Sequence, residues 1–544
     1  MNVTTARHII AGPTAAKPET TVTGAFFASA ASAPDAPALW VDGTLYSYSE
    51  LAGVARHVAA AIRASDHSDA GCAILAYRSL PTYAGILGTL AAGRAYTPLS
   101  PRIPVDRNRR ILAALAPRTL LVDAPLARLA REILAGYDTP LNVIMMAGNG
   151  APHTDSIAAP HVLSTVRMDD SPPGDTAVAD PAMDAAAYVL FTSGSTGLPK
   201  GVVIEHGCVA RYVDTICRAY APEPDARMTQ LFDPTFDLSV HDMFVTWAAG
   251  ACLYCVPEKL LFTPIGFANE HALTHWFSTP TTASMLMRYR QLKPDALPGL
   301  QVSLFCGEAL ARQTAEAWRA AAPNSVIDNL YGPTEATIAI TAHRVAAAGP
   351  AAPADTVAIG QPFNGQSAAL LAEDGSFAAP GEIGELIVSG DQLARGYLNA
   401  PDQTAAAFIE LGTPPVRWYR TGDLARYDDD DGFVYLGRLD NQIKLRGHRI
   451  ELGEIEAVLR DASGSALVAA IAWPVEGQEV GGITAFVAGT SATAEDLRTA
   501  CEERLLAAAV PSTIHIRDTL PVNASGKTDR IALRDWCRDN ATTG

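Results

Sequence analysis

The sequence predicts an α/β protein with a large N-terminal domain of open, largely parallel sheets and a small, mobile C-terminal α/β domain. From about residue 25 to residue 440, strand-like apolar runs alternate with Ala-rich helical stretches, as expected where helices connect parallel strands. The chain has 544 residues, more than one compact core usually holds, so it should divide into at least two domains.

The predicted elements follow from the spacing of apolar residues. The first 25 residues are polar and rich in Gly, Pro and Thr, and we expect them to form a loose lead-in. Short apolar runs predict strands at CAILAY, TLLVD, YVLF, GACLYCV, VSLFCG and GELIVSG. Apolar residues three or four apart predict helices at SELAGVARHVAAAIRA and ARQTAEAWRAAA.

A change in composition near residue 439 marks the predicted domain boundary. Four aspartates before Gly432 are typical of a hairpin tip between two strands. The charged stretch GRLDNQ after them is predicted to be a hinge, and about 100 residues follow it, enough for a small separate domain. We therefore predict domains at residues 1–439 and 440–544.

Charge and composition exclude several classes of partner. The net charge of −17, from 41 basic and 58 acidic residues, argues against nucleic acid or an anionic membrane as the main partner. No apolar run approaches the roughly 20 residues that a membrane helix needs. Eight cysteines without a disulfide framework indicate reduced thiols, and hence the cytoplasm.

The stretch FTSGSTGLPKGV, residues 191–202, predicts a phosphate-binding loop. Its glycines allow a tight backbone turn close to a ligand, and its hydroxyl and N–H groups can donate to phosphate oxygens. A flexible linker is the alternative, but linkers seldom lie between two apolar runs. A Walker loop is excluded because a strand-like run, not a helix, follows Gly201. The candidate ligand-binding residues are Thr192, Ser193, Gly194, Ser195, Thr196 and Lys200.

Seven further stretches accompany this loop in a defined order along the chain. They are LAAGRAYTPLSP (90–101), FDLSVHDMF (236–244), NLYGPTEAT (329–337), GELIVSGDQLARGY (384–397), YRTGDL (419–424), GRLDNQIKLRGHRIELGEIE (437–456) and NASGKTDR (523–530). The series resembles the adenylate-forming superfamily, and within it the amino-acid adenylation domains of nonribosomal peptide synthesis. The resemblance extends over nearly the whole chain.

This resemblance implies a ligase that uses ATP and Mg²⁺. Such enzymes activate a carboxylate by its attack on the α-phosphorus of ATP, which gives an acyl-adenylate and pyrophosphate. That chemistry needs positioning and charge neutralisation more than covalent help from the protein. By resemblance, the Ser/Thr/Gly loop with Lys200 holds the β- and γ-phosphates.

The remaining roles at the ATP site are also implied by the resemblance. Tyr331, beside Gly332, would stack on adenine, and Thr334 would touch the α-phosphate. Glu335 would bind Mg²⁺, which suits a hard cation that shares phosphate oxygens. The other implied roles are ribose binding by Asp423, ribose or phosphate binding by Arg438, a hinge at Asp440, and a catalytic lysine at Lys527 that bridges the carboxylate and the α-phosphate.

Asp237 is implied to bind the α-ammonium group of an amino acid, because a partner without that group would leave the carboxylate unpaired. The alternative is that Asp237 caps the helix that starts after it. Neighbouring motifs predict a mostly aliphatic pocket of Asp237, Leu238, His241, Ser278, Leu304, Cys306, Leu330, Ile338 and Ala339, closed by Lys527. Such walls favour a small or medium neutral side chain.

Alanine is the lead candidate for the substrate. FDLSV, STP, LFCGE and YGPTEAT resemble the stand-alone D-alanine carrier-protein ligases, with Cys306 as a specific point of likeness. His241 and Leu330 depart from that pattern. Either enantiomer of alanine is compatible with these motifs.

The acceptor is predicted to be a separate carrier protein. Only 17 residues follow Lys527, and no Gly-Gly-x-Ser attachment site or condensation-type His-His pattern is present. The resemblance implies that the small domain rotates after adenylation and admits the phosphopantetheine thiol. The motif before the lysine is altered to LLAAAVP (505–511), and NGK to SGK. Two alternatives stay open: an acyl- or aryl-CoA ligase, and a catalytically silent relative that acts as a binding partner.

Overall fold

A computed structural model describes residues 9–66, 68, 70–148, 160–168, 177–194, 199–346, 356–379, 381–476, 479–522 and 528–541. The strands are β1 (Ile9–Ala11), β2 (Pro37–Val41), β3 (Thr44–Ser47), β4 (Cys72–Leu75), β5 (Tyr96–Leu99), β6 (Thr119–Asp123), β7 (Asn142–Ala147), β8 (Val162–Arg167), β9 (Ala186–Thr192), β10 (Lys200–Glu205), β11 (Arg227–Gln230), β12 (Cys252–Cys255), β13 (His275–Ser278), β14 (Val302–Phe305), β15 (Val326–Tyr331), β16 (Thr341–Arg344), β17 (Gln361–Pro362), β18 (Gln366–Leu371), β19 (Ile383–Gly390), β20 (Gly396–Tyr397), β21 (Phe408–Leu411), β22 (Val416–Asp428), β23 (Gly432–Arg438), β24 (Gln442–Leu445), β25 (His448–Glu451), β26 (Val468–Ala472), β27 (Val475–Glu476), β28 (Glu479–Val480), β29 (Ile483–Ala488) and β30 (Thr513–Arg517).

The helices are α1 (Val22–Ser32), α2 (Tyr48–Ser65), α3 (Leu80–Ala91), α4 (Val105–Leu115), α5 (Ala127–Leu134), α6 (His206–Tyr220), α7 (Leu238–Ala248), α8 (Pro264–Glu270), α9 (Pro280–Arg288), α10 (Arg312–Ala321), α11 (Pro401–Ala407), α12 (Leu452–Ser463), α13 (Ala494–Arg504) and α14 (Arg530–Ala541).

Three sheets form the large domain. An eight-stranded sheet has the order β20-β10-β9-β5-β4-β6-β7-β8, and a nine-stranded sheet has the order β17-β16-β15-β14-β13-β11-β12-β2-β3. Both are parallel at their centres and antiparallel at one or both ends. The third sheet, β1-β18-β19-β22-β21 with β23 on β22, is wholly antiparallel. The predicted fold class is therefore confirmed, with an additional antiparallel sheet.

The two parallel-centred sheets pack on buried helices. In α3 ten of the twelve residues are buried, and every residue of α7 from Leu238 to Trp247 is buried. Helix α3 is mostly apolar, as expected of a helix inside a core, whereas α7 also carries His241 and Asp242 into the core. By contrast, the amphipathic α2 begins at a capping box formed by Ser47 and Glu50.

Strands β24 to β30 form separate small sheets, and none of them pairs with a strand of the large domain within the described residues. Helix α12 packs on β26 and on α13. A buried ion pair links the two parts of the chain: Arg107 Nη1 in α4 lies 2.5 Å from Glu454 Oε1 in α12. The predicted hairpin around the four aspartates is present as β22 and β23.

The prediction of a loose lead-in is wrong for residues 9–11 and 21–25, while residues 12–20 contain no helix or strand. Strand β1 pairs with β18, and α1 begins at Val22 with Thr21 capping it through the Gly24 N–H. The composition of this segment did not indicate a strand, because β1 has only three residues and the strand it pairs with lies far along the chain. Among the helices that the structure describes, none is long and apolar enough to cross a membrane.

Candidate functional site

Six of the eight predicted motifs contribute residues to one cavity of about 950 Å³ between the large domain and the residues after 440. The strands β11, β13, β14 and β15 run parallel, so their carboxyl ends meet at one edge of the nine-stranded sheet, where ligands bind in open α/β sheets. Nine of the predicted residues line the cavity: Thr192, Ser193, Asp237, Leu238, Gly332, Thr334, Ile338, Asp423 and Arg438.

The predicted phosphate loop connects β9 to β10, which pair antiparallel with Thr192 opposite Lys200. Ser193 and Gly194 are buried at the end of β9. The Lys200 ammonium lies 5.6 Å from the ring centroid of Tyr397. Ser195, Thr196 and Lys527 lie outside the described residues, so their positions stay predictions.

The turn after β15 is tightly folded. A Cβ on Gly332 would lie 2.5 Å from the Ala339 Cα, so only glycine fits there without displacing the backbone. Thr337 and Ile338 have φ values of 57° and 73°, which a β-branched residue rarely adopts. This turn brings Thr334 and Ile338 to the cavity wall.

Glu335 is buried in the same turn and is held by two donors. Its Oε1 accepts from the Tyr397 hydroxyl at 2.7 Å, and its Oε2 lies 2.8 Å from Arg449 Nη1. Burial alone would raise the pKa of Glu335, but the Arg449 guanidinium and the Tyr397 hydroxyl outweigh it, so the pKa of this carboxyl is lowered. Glu335 is therefore an anion whose charge is compensated by a cation from β25.

Tyr331, Asp423 and Arg438 form a second buried cluster. The Tyr331 hydroxyl donates to Asp423 Oδ2 at 2.5 Å, and Arg438 Nη1 donates to Asp423 Oδ1. Arg438 also reaches the predicted hinge residue through its Nε, 2.7 Å from Asp440 Oδ1. The Lys444 ammonium lies 5.2 Å from the Tyr331 ring centroid. One arginine thus joins the predicted ribose ligand to the predicted hinge.

Asp237 stands at the N-terminus of α7, but its side chain makes no capping hydrogen bond. Burial raises the pKa of the Asp237 carboxyl to about 6, although a hydrogen bond with Thr334 works in the opposite direction. No salt bridge joins Asp237 to a cation within the described residues. The geometry therefore gives no support to the capping alternative and leaves this carboxylate facing the cavity.

Six predicted pocket residues do not line this cavity. His241 Nδ1 lies 2.8 Å from the Tyr212 hydroxyl, and the imidazole packs against the Phe277 ring at a centroid distance of 4.0 Å. Burial lowers the pKa of His241 to about 3, which keeps it neutral. Behind the cavity, His241 and Leu304 border one small void and Leu330 borders another, while Ser278, Cys306 and Ala339 are buried.

Several cavity residues were not predicted. They come from the hairpin β24–β25, from α4 and from the altered LLAAAVP motif, and they are Arg107, Lys444, Gly447, His448, Arg449 and Leu506 to Ala508. The hairpin motif is recognisable in the sequence, but nothing in it indicates that Arg449 pairs with Glu335, because Glu335 lies 114 residues away in the chain.

Glu335 suits a magnesium ion that the protein would share with the phosphates of a nucleotide. Among the residues that the structure describes, no cluster of three or more His, Cys, Asp or Glu could hold a metal ion by itself. Glu335 is a buried, ionised carboxylate whose side chain is 2% exposed and already requires a cation. Mg²⁺ bound by one carboxylate normally takes its other ligands from phosphate and water, so Glu335 fits that role.

Comparison with known proteins agrees with the geometry. Residues 26–398 match the model of the AMP-binding enzyme family, and residues 454–527 match the AMP-binding enzyme C-terminal domain. The chain is 33% identical over 512 residues to Novobiocin biosynthesis protein H from Streptomyces niveus, covering 93% of this chain and 80% of that protein. It is also 33% identical over 465 residues to an L-proline--[L-prolyl-carrier protein] ligase from Pseudomonas fluorescens, covering 84% and 87%.

Solved structures share the whole fold. The Vibrio cholerae adenylation domain AlmE, determined with glycyl-adenosine-5'-phosphate, has a TM-score of 0.85 and 31% identity, over 97% of this chain and 99% of AlmE. Several longer relatives contain a matching region, and the chain spans between 3% and 14% of their length. The chain belongs to the AMP-binding enzyme family, and it is an adenylation domain of that family.

Proposed function

We propose that this enzyme joins the carboxylate of a small neutral amino acid to the α-phosphate of ATP and then transfers the aminoacyl group to a carrier-protein thiol. The observation that carries the proposal is the arrangement of one cavity. It places Thr192 and Ser193 of the predicted phosphate loop on one wall and, on another, the carboxylate of Asp237, which has no salt-bridge partner among the described residues. An amino acid and ATP require those two kinds of group.

In the first step, a carboxylate oxygen of the amino acid attacks the α-phosphorus. The new O–P bond forms as the bond to pyrophosphate breaks, and pyrophosphate leaves with its electron pair. Thr192, Ser193, Gly194, Ser195, Thr196 and Lys200 would bind the departing phosphates, and Thr334 the α-phosphate. Magnesium held by Glu335 would neutralise phosphate charge. Lys527 would neutralise charge on the attacking carboxylate and on the α-phosphate.

The nucleoside would lie where Tyr331, Gly332, Asp423 and Arg438 meet. Asp423 already accepts hydrogen bonds from Tyr331 and Arg438, which fixes its orientation. Ribose hydroxyls are donors that a carboxylate can accept. The proposed adenine contact is with the Tyr331 ring.

Asp237 would bind the substrate ammonium, and the side chain would point toward Leu238 and Ile338. No cation forms a salt bridge with Asp237 among the described residues, so an ammonium group would supply a direct partner for this carboxylate. Aliphatic walls favour a small or medium neutral side chain, with alanine the lead candidate. Glycine is the neighbouring candidate, since AlmE was solved with a glycyl adenylate.

A second cavity of about 1,120 Å³ supports transfer to a thiol. It lies between α9, the hairpin and the small domain, and it shares Phe262, Arg438 and Lys444 with the first cavity. A pantetheine thiol entering there would attack the acyl carbon, forming a C–S bond as the bond to AMP breaks. The matched proline carrier-protein ligase supports a separate carrier as the acceptor.

Movement of residues 440–544 about Asp440 would switch the enzyme between the two steps. Lys527 would lie at the α-phosphate only in the first step.

The cytoplasm is the proposed compartment, supported by eight free cysteines.

Amino-acid-dependent ATP–pyrophosphate exchange tests the proposal. The panel contains the standard L-amino acids, D-alanine, β-alanine, 2-aminobutyrate and benzoate, with Lys527→Ala beside the wild type. We expect exchange with alanine or another small neutral amino acid, lost in the variant, and an aminoacyl mass shift on a phosphopantetheinylated carrier. Turnover of benzoate or a fatty acid without any amino acid would overturn it in favour of an acyl- or aryl-CoA ligase.

A further inference from the structure

We infer that Gln392 is a positioning residue for selection of the amino acid, because its side-chain amide holds the backbone of the turn that carries Ile338. The inference rests on the proposed function in one respect: it takes Ile338 as part of the wall that the substrate side chain contacts.

Gln392 lies between β19 and β20, and the turn after β15 encloses its side chain. The residue is 0% exposed. Its Nε2 lies 2.7 Å from the carbonyl oxygen of Ala339, 3.3 Å from that of Ala336 and 3.4 Å from that of Thr337. One amide group with two protons therefore faces three backbone acceptors of the same turn.

Backbone contacts join the same two segments. The Thr337 hydroxyl donates to the Gln392 carbonyl oxygen at 2.6 Å. Two residues further along, the Ala394 N–H donates to the Glu335 carbonyl oxygen at 2.8 Å. The turn is thus bound along its length by the connection that leaves the antiparallel sheet.

The conformation of this turn is costly and needs such support. The Ala339 N–H donates to the Thr337 carbonyl oxygen at 2.9 Å, which closes a three-residue turn around Ile338 with a φ of 73°. Turns of this kind are rare, and a β-branched residue with a positive φ persists only where its surroundings fix it. The Gln392 amide binds the carbonyl groups on both sides of Ile338, which opposes a peptide flip that would turn Ile338 away from the cavity.

The amide oxygen of Gln392 is buried and has no hydrogen-bond partner among the described residues. An unpaired buried acceptor costs free energy, and an apolar side chain of similar shape would avoid that cost. The N–H donors are therefore the part of this side chain that the turn uses.

The residues of the turn that belong to the proposed ATP site are held by other groups. The Glu335 side chain pairs with Arg449, and the Thr334 carbonyl oxygen accepts from the Thr337 N–H at 3.1 Å. Loss of the Gln392 amide should therefore disturb the amino-acid side of the cavity more than the ATP side.

The test is Gln392→Met, which keeps the length of the side chain and removes its donors, in amino-acid-dependent ATP–pyrophosphate exchange with the full-length enzyme. If the turn then holds its binding conformation for about a tenth of the time, the KM for the amino acid should rise about tenfold. The KM for ATP should change less than about twofold, and the preference for alanine over leucine should weaken.

A second variant and a matched control accompany this one. Gln392→Glu keeps the shape but places oxygen atoms against the three carbonyl oxygens, so its KM for the amino acid should rise at least as far. Gln366→Met is the control: Gln366 is 1% exposed opposite Gly390, and its side chain has no hydrogen-bond partner among the described residues. The control should keep the KM of the wild type for both substrates.

An unchanged KM for the amino acid in both Gln392 variants would overturn the inference. An equal rise in the KM for ATP would also overturn it, because it would indicate a general loss of structure. A crystal structure of Gln392→Met needs no substrate: we expect the φ of Ile338 to leave the positive region, and a retained positive φ would count against the role of the amide. If the wild type showed no exchange with any amino acid while Ile338 moved in the variant, the proposed function alone would be contradicted.

Discussion

Asp237, which lines the cavity, and Glu335, which is buried in the turn beside it, are two neighbouring carboxylates with shifts of the pKa in opposite directions. Glu335 is ion-paired with Arg449 and has a lowered pKa, whereas Asp237 has no such partner among the described residues and burial raises its pKa to about 6. Burial acts to raise the pKa of both carboxyls, and the opposite outcomes follow from direct pairing: Arg449 forms a salt bridge with Glu335, whereas it affects Asp237 only from a distance. Within the described residues, one carboxylate has a salt-bridge partner and the other has none.

This difference separates the roles of the two groups. A half-buried carboxylate without a salt-bridge partner is costly to keep ionised, so a ligand that brings an ammonium group gains the energy of removing that cost. Glu335 needs no substrate to stay charged, because Arg449 already balances its charge. This contrast supports the proposal that Asp237 selects the amino acid and that Glu335 acts at the ATP site.

The largest expected effect is that of Asp237→Asn. Leaving a substrate ammonium without its carboxylate should cost about 3–5 kcal/mol, or roughly 10² to 5 × 10³ in kcat/KM for the amino acid. Kinetics of pyrophosphate exchange measure this, with the KM for ATP as the internal control. Glu335→Gln is the contrasting variant and should lower kcat while the amino-acid KM changes little. If both variants raised the KM for the amino acid equally, the proposed difference in role between Asp237 and Glu335 would be contradicted.

A smaller effect should appear in the pH dependence. The raised pKa means that Asp237 is protonated as the pH falls through about 6, and its neutral form cannot pair with an ammonium group. The kcat/KM for the amino acid should then fall about tenfold for each pH unit below that value, because one proton is taken up. Glu335, with its lowered pKa, stays ionised over this range. A profile that is flat from pH 7 to pH 5 would contradict the assignment.

Sequence motifs located the strands and the large-domain side of the cavity well, because those residues follow parallel strands within a few positions. Asp237 and Thr334 line the cavity for that reason, whereas Asp423 reaches it from within β22 of the antiparallel sheet. Contacts between distant parts of the chain were not predictable in this way. The Arg449–Glu335 and Arg107–Glu454 pairs join residues 114 and 347 positions apart, and no local pattern specifies which carboxylate an arginine reaches.

The deeper pocket was predicted with less success for a related reason. A motif specifies that His241 follows Asp237 by four residues, which places both on one side of a helix. It does not specify that the aromatic residues Tyr212 and Phe277 enclose the imidazole and separate it from the cavity. Packing between layers decides which residues reach a cavity surface, and that packing depends on side-chain volumes from several distant elements.

The smallest predicted effect concerns Leu238, which follows Asp237 and lines the cavity on the first turn of α7. Leu238→Ala should enlarge the space for the substrate side chain and leave the ammonium site intact. Each methylene that the pocket gains or loses changes discrimination by about 1–3 kcal/mol, so the preference for leucine over alanine should rise about tenfold or more. Exchange assays with both amino acids measure this ratio. Thr246→Ser, which removes one methyl group further along α7 from a residue that does not line the cavity, is the matched control, and its ratio should stay that of the wild type. An unchanged ratio in Leu238→Ala with retained activity would mean that the substrate side chain points away from α7. That result would also contradict the proposed substrate orientation, in which the ammonium group lies on Asp237.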